Sequence, residues 1–217
     1  VHGTVDLKAS LEKSCNSSFA NIGLSLNLKK YASTSEDLLF NKDLPIRIAS
    51  SKSRFSLKPD AADSEVMATA IGQGTTLVSP LHMALIVSAI ENDGTLMNPY
   101  VADRVENSDG KVIEQYDPSA YGQLMKQKEA KILRGMMRAV VTDGTASALQ
   151  SDAYNAAGKT GSAEYGTTKG ESHAWFAGYA RAKGRQPIAI AVVVEGAGNG
   201  GTVAVPIAKT VFDTYFK

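Results

Sequence analysis

The 217 residues, 43% hydrophobic and 21% charged, suffice for one globular body with a buried core. A formal net charge of +1, from 23 basic and 22 acidic side chains, gives no reason to expect nucleic-acid or membrane-surface binding. The single cysteine, Cys15, excludes an intrachain disulfide, and no apolar run approaches the ~18 residues of a transmembrane helix.

Residues 6 to 28 read as one helix, with Leu7, Leu11, Phe19, Ile22, Leu24 and Leu26 as its apolar stripe. Residues 31 to 63 lack periodicity and read as an extended, loop-like excursion. Ser64 caps a short helix through Ala70 that ends at Gly72-Gln73-Gly74. Ser79-Pro80 opens a helix with Leu81, Ala84, Leu85 and Ile90 on one face, stopped by Asp93-Gly94. Tyr100 to Tyr116 reads as a hairpin around Asn107-Ser108-Asp109-Gly110, and residues 127 to 142 as a further helix. The period then changes from 3.6 to 2. Tyr154 to Tyr165, His173 to Arg181 and Pro187 to Glu195 are strands, joined by turns short enough for antiparallel neighbours. The apolar run Ile188 to Val194 suits a buried strand. A last helix, about Val203 to Phe216, offers Ile207, Val211 and Tyr215 at i, i+4 and i+8. Helices first, then an antiparallel sheet, then a helix to cover it, is an α+β order.

Gly158-Lys159-Thr160-Gly161 invites two readings. A phosphate-binding loop needs glycine five residues before Gly158, where Ala153 stands, and a helix afterwards, where Ser162-Ala163-Glu164-Tyr165 reads as strand. The other reading is Lys-Thr-Gly on a strand, part of the signature of penicillin-binding proteins and class A β-lactamases together with Ser-x-x-Lys and a Ser-x-Asn element. A given tripeptide occurs by chance in ~3% of chains this long, so the other elements decide the matter. Ser14-Cys15-Asn16 fits Ser-x-Asn and precedes Lys159, as the order requires. Ser10-Leu11-Glu12-Lys13 has the spelling of Ser-x-x-Lys, but it abuts Ser14 on the same predicted helix and cannot converge on it from another side of a cleft.

Six blocks in order carry a wider resemblance. These are Ile71-Gly72-Gln73-Gly74; Ser79-Pro80-Leu81-His82-Met83-Ala84; Asn92-Asp93-Gly94 with Asn98-Pro99-Tyr100; Val141-Thr142-Asp143-Gly144-Thr145-Ala146; the Lys-Thr-Gly strand; and His173-Ala174-Trp175-Phe176-Ala177-Gly178-Tyr179. Together they resemble the D,D-transpeptidase domain of class B penicillin-binding proteins over essentially the whole chain. The resemblance implies a β-lactamase/transpeptidase-like α+β fold: an antiparallel sheet flanked by helices, plus a mostly helical subdomain. Residues 1–217 would be the later part of that domain, with a mainly helical part at 1–150, its hairpin near 100–116, and the strands and C-terminal helix at 151–217. The nucleophile helix, the first sheet strands and the membrane anchor would lie ahead of Val1, so the chain alone would be inactive and would form no covalent penicillin adduct.

What the resemblance implies for chemistry is specific. The substrate is a peptidoglycan stem peptide ending in D-alanyl-D-alanine, and β-lactams bind the same cleft. Lys159 supplies a cation for the terminal carboxylate, and the Thr160 and Ser162 hydroxyls hydrogen-bond it. Gly161 leaves room for an extended peptide against the strand, and the Ser162 N–H completes an oxyanion hole. Ser14 relays a proton between the nucleophile and the leaving or attacking amine; Asn16 holds the substrate amide and the upstream lysine. Cys15 is expected to be buried and inert, and His82 and His173 to have packing or surface roles; Trp175 and Phe176 are expected in core and cleft wall. No cofactor or metal is expected, since no cluster has ligand spacing. The parent protein would be anchored at the extracytoplasmic face of the bacterial plasma membrane, with cell-wall synthesis partners. A serine β-lactamase or D,D-carboxypeptidase, and a non-catalytic penicillin-binding sensor, share the motifs; deacylation rate and neighbouring domains separate them.

Overall fold

The structure, a computed structural model, describes residues 2–165 and 170–217. The N-terminal half is helical: α1 (Leu7–Glu12), α2 (Asn16–Ser25), α3 (Leu28–Asp37), α4 (Asp63–Ala70) and α5 (Pro80–Glu91). Two short antiparallel pairs follow. The hairpin β2 (Arg104–Glu106) with β3 (Val112–Gln115) is nested inside β1 (Thr95–Met97) with β4 (Ala120–Gln123). Then come α6 (Gln127–Thr142), the strands β5 (Asn155–Glu164), β6 (Ser172–Arg181) and β7 (Ile188–Val194), and α7 (Ala204–Phe216). The three strands form one antiparallel sheet in the order β5-β6-β7, so β5 is an edge strand among the described residues.

The sheet is covered on both faces. Because side chains alternate along a strand, Ala156 of β5 and Ala174, Phe176 and Ala180 of β6 face α7, where they pack with Val205, Ala208 and Phe212. Ala157 and Tyr179 face the other way, onto Ile86, Val87 and Ile90 of α5 and Met137 of α6. Phe176 and Phe212 are fully buried, each worth about 1.5–3 kcal/mol of transfer free energy. The Phe176 ring needs a particular gap. Gly158 pairs with Gly178 across the ladder, and a Cβ on either would come within 2.4 or 2.5 Å of Phe176 Cζ. Gly158 is therefore a packing glycine on a strand, which gives its place before Lys159 a reason unrelated to phosphate binding.

Local chemistry explains the helices that match expectation. Ser79 caps α5 by accepting from the His82 N–H at 3.2 Å, with Pro80 in the first turn, and Asp93 and Gly94 leave the helix with φ of 53° and 89°. Elsewhere the structure departs from the sequence reading. Residues 6 to 28 are two helices and not one, broken at Lys13-Ser14. Within 31 to 63 the first residues are helical, because Asn27 caps α3 by accepting from the Lys30 N–H at 3.1 Å. The helix placed at Ser64 starts at Asp63, after Ala62. The pair β1–β4 was not expected at all. Helix α7 turns the face opposite to the one predicted. Ile207, Val211 and Tyr215 are exposed, while Ala204, Ala208, Phe212 and Phe216 share the buried stripe at intervals of four. The two alanines weigh little in hydropathy but let the helix approach the sheet closely enough to seat both phenylalanines. Strand β7 is half-buried along its length rather than buried, since it too lies at an edge of the described sheet. The turn expected at Gly166 to Gly170 falls outside the described residues except for Gly170.

Candidate active site

The site is built on the free edge of β5. The Tyr165 N–H donates to Glu171 O, towards β6, so odd-numbered backbone groups of this unbroken ladder point inward. Those of Ala156, Gly158, Thr160, Ser162 and Glu164 point outward. The outward carbonyls are met by side chains at three places: Ala156 O accepts from Arg138 at 2.7 Å, Thr160 O from Lys159 Nζ at 2.8 Å, and Ser162 O from Gln73 Nε2 at 3.2 Å. The Ser162 N–H on the same edge donates to no described residue.

Opposite this edge stands the break between α1 and α2. Lys13 caps the end of α1, Ser14 takes a left-handed φ of 52°, and Cys15 is the cap position ahead of α2. Serine in that region costs roughly 1–2 kcal/mol relative to a right-handed residue, so the contacts around it must hold it. The Cys15 N–H donates to Ser10 O at 2.9 Å and closes the turn. The end of α1 also presses on the end of α6, where a Cβ on Gly144 would sit 2.5 Å from Glu12 O. The result is that Ser14 Oγ accepts from Lys159 Nζ at 2.9 Å, across 145 residues of sequence. Strain held at a polar residue facing a strand edge is the pattern of a functional position.

Lys159 is largely withdrawn from water, and that burial brings its ammonium down to about 8. Its two acceptors, Ser14 Oγ and Thr160 O, are neutral, and among the described residues no carboxylate pairs with it. A desolvated cation without a counter-ion is a site for an anion. Because Ser14 Oγ is already accepting, its own proton is free to be donated.

The other predicted residues divide. Ser162 Oγ accepts from the Gly200 N–H at 3.3 Å, which leaves the hydroxyl proton to be donated away from the loop. A Cβ on Gly161 would stand 3.3 Å from Trp175 Cβ on the Lys159 side, so glycine keeps that side open. Thr160 is not brought to Lys159 and Ser14: it lies on the opposite face, with its hydroxyl 2.6 Å from that of Thr145. Asn16 is exposed in the first turn of α2 and lines a groove with Cys15, Ser18 and Asn21. Cys15 is half-exposed in that groove, against expectation, because as the residue just ahead of α2 it sits at the break and outside the apolar stripe. The nearby Ser18 side chain, and then His2, lower its thiol to about 7.

Ser10 is fully buried with its hydroxyl donating to Asp6 O at 2.6 Å, so it cannot attack anything; its exclusion holds for this reason rather than for a continuous helix. The same spelling recurs at Ser108-Asp109-Gly110-Lys111, on the exposed β2–β3 turn. His82 is buried against Phe40 with Nε2 donating to Leu38 O at 2.6 Å, and burial lowers its pKa. His173 stacks on Tyr165 at 4.1 Å and accepts the Gly196 N–H at 3.1 Å. Three contributors carried no assigned role in the sequence. Gln73 and Thr145 stood inside blocks quoted for the resemblance, whereas Gly200 gave no signal. A Cβ on Gly200 would fall 2.3 Å from Trp175 O and 2.4 Å from Gly161 O, which presses that loop onto β5. Among the described residues no group of three His, Cys, Asp or Glu could hold a metal ion, and no helix is long and apolar enough to cross a membrane.

The chain is 30% identical over 222 residues to the peptidoglycan D,D-transpeptidase PbpA of Mycolicibacterium smegmatis, covering 95% of this chain and 43% of that protein. It is 26% identical to the peptidoglycan D,D-transpeptidase MrdA of Haemophilus influenzae, covering 99% of this chain and 37% of the relative. The chain thus spans less than half the length of either. Among solved structures, the D,D-transpeptidase domain of a peptidoglycan glycosyltransferase from Eggerthella lenta superposes with a TM-score of 0.85 at 26% identity, over 98% of this chain and 54% of that one. The penicillin G acyl-enzyme of penicillin-binding protein A from M. tuberculosis gives 0.86 at 27% identity, over 99% and 49%. With the family of the penicillin binding protein transpeptidase domain matching residues 1–213, this chain belongs to that family.

Proposed function

We propose that the chain forms the substrate-binding walls of a D,D-transpeptidase that cross-links peptidoglycan by serine acylation. The observation that carries the reading is the hydrogen bond from Lys159 to Ser14 beside the open edge of β5. An acyl donor ending in D-Ala-D-Ala lies extended along that edge, with the Ser162 N–H directed at its reacting carbonyl oxygen and Gly161 leaving it room. Its terminal carboxylate takes hydrogen bonds from the Thr160 and Ser162 hydroxyls, which share one face of β5, and is drawn by the unpaired charge of Lys159. The nucleophilic serine adds to the penultimate carbonyl as its hydroxyl proton passes to the neighbouring upstream lysine; the C–N bond breaks, D-alanine leaves with a proton donated by Ser14, and the lysine's proton restores the Ser14 hydroxyl. Lys159 stabilises the Ser14 oxygen while it is short of that proton. An amine of a neighbouring stem peptide then attacks the acyl-enzyme, returning its proton along the same path. Asn16 holds the donor amide. The Thr160 hydroxyl, held at 2.6 Å by that of Thr145, accepts from Thr145 and donates to the substrate.

The nucleophile belongs to a Ser-x-x-Lys helix outside these 217 residues. Supporting this, the two Ser-x-x-Lys spellings within the chain are the buried Ser10 and the turn residue Ser108. Residues 1–217 are one part of a single domain, helical to about 150 and sheet-based after it. The protein works outside the bacterial plasma membrane, held there by an anchor, and β-lactams acylate the same serine. The names of the relatives, D,D-transpeptidases, support this choice over a β-lactamase or a sensor. The test is labelling with a fluorescent penicillin. The full-length protein is expected to form a long-lived covalent adduct, and the 217-residue chain none. A folded full-length protein that takes no label, or a labelled isolated chain, would overturn the reading.

A further inference from the structure

Of the three carbonyls on the free edge of β5 that side chains meet, two are served from nearby packed elements and one is not. Arg138 reaches Ala156 O from α6, and Lys159 reaches Thr160 O from the same strand. The third donor, Gln73, comes from 89 residues earlier and makes an exposed contact to Ser162 O. Its surroundings let the side chain move while the main chain stays. The Gln73 N–H donates to Ala68 O at 2.8 Å at the end of α4, which anchors the backbone. Gly72 and Gly74 flank it with φ of 80° and 84°, and a Cβ on Gly72 would meet nothing within 4 Å.

An unpaired edge carbonyl has to be covered, both to satisfy it and to keep the edge from recruiting a foreign strand. A charged donor would be costly to displace. A neutral amide at 3.2 Å exchanges for a peptide N–H of the same kind, bond for bond. We propose that Gln73 is a latch on the substrate edge. Its side-chain amide occupies the Ser162 carbonyl that the backbone N–H of the acyl donor takes, and it swings off when an extended peptide adds to β5. Gln73 is thus a positioning residue that competes with substrate, and this rests on the transpeptidase reading above.

The competition is measurable without turnover. In the full-length protein, an N-acylated tripeptide ending in D-Ala-D-Ala slows labelling by a trace of fluorescent penicillin, and the peptide concentration that halves the labelling rate reports its binding. Gln73→Ala is expected to lower that concentration about five-fold, the worth of one neutral hydrogen bond no longer displaced. A depsipeptide whose corresponding N–H is replaced by an ester oxygen cannot use the freed carbonyl, so the variant is expected to leave its protection unchanged. A raised concentration for the peptide would make Gln73 a substrate ligand and overturn the latch. An unchanged value, or an equal change for peptide and depsipeptide, would overturn it too. Failure of the wild-type protein to label at all would remove the transpeptidase reading and the latch together, whereas labelling without the five-fold gain would remove the latch alone.

Discussion

Replacing Lys159 with methionine isolates the energetic cost of burying its charge. The folded chain holds this ammonium at about 8, against 10.5 for a free lysine, because burial penalises the charged form. Between those two values the unfolded chain binds the proton and the folded chain does not, so stability rises with pH. At 1.36 kcal/mol per pH unit the full span is worth about 3 kcal/mol. Below pH 8 both states carry the proton, and the folded state bears the whole burial cost; above 10.5 neither does. Urea denaturation of the wild-type and Lys159→Met proteins, at steps from pH 7 to 10.5, separates this from other titrations, because tyrosines and surface lysines contribute equally to both. The wild-type stability minus that of the variant is expected to climb by about 3 kcal/mol over the series, nearly all of it above pH 8. A flat difference would mean that Lys159 is not desolvated. A falling one would mean that an anion of the protein holds it, and the argument for an empty carboxylate site would fail.

Other consequences follow from single contacts. Ser14→Ala removes the donated proton but leaves a small side chain in the same turn, so acylation by a D-Ala-D-Ala peptide should slow about 10²–10⁴-fold with the melting temperature little changed; near-normal rates would exclude a relay. Gly178→Ala places a Cβ 2.4 Å from Ala157 O and 2.5 Å from Phe176 Cζ, and chemical denaturation should show a loss of about 1–3 kcal/mol or more. His82 is kept neutral by burial, so below its ordinary 6.5 the unfolded chain takes up a proton that the folded chain refuses. Stability should therefore fall as pH drops from 6.5 to 5, and the fall should be shallower in His82→Gln; equal slopes would show that the imidazole is accessible.

What could be read in the sequence was whatever local chemistry fixes. Ser79-Pro80 announced α5 because a capping hydroxyl and a preset proline φ act within one turn. The change of period after residue 150 announced β5, β6 and β7, and Lys159 could be placed on a strand for the same reason. The break at Ser14 could not be read, since no glycine, asparagine or proline marks it. It is held by Gly144 and Lys159, both more than a hundred residues away. Helix α7 was placed correctly but turned, because Ile207, Val211 and Tyr215 outweigh Ala204 and Ala208 in hydropathy while the alanines fit the sheet. The pairing of Thr160 with Thr145 and the reach of Gln73 to Ser162 depend on which residues face outward from β5, and that is decided by the ladder with β6.

Lys159 and Ser14, joined by a hydrogen bond at 2.9 Å, are expected to act as one unit at an acylation site. The most direct measurement is the second-order rate of covalent labelling by a fluorescent penicillin in the full-length protein, for the wild type, Ser14→Ala, Lys159→Met and the double variant. The unit predicts that either single change slows labelling by about 10²-fold or more and that the double change adds little. Independent effects that multiply in the double variant, or single variants that label at the wild-type rate, would contradict it.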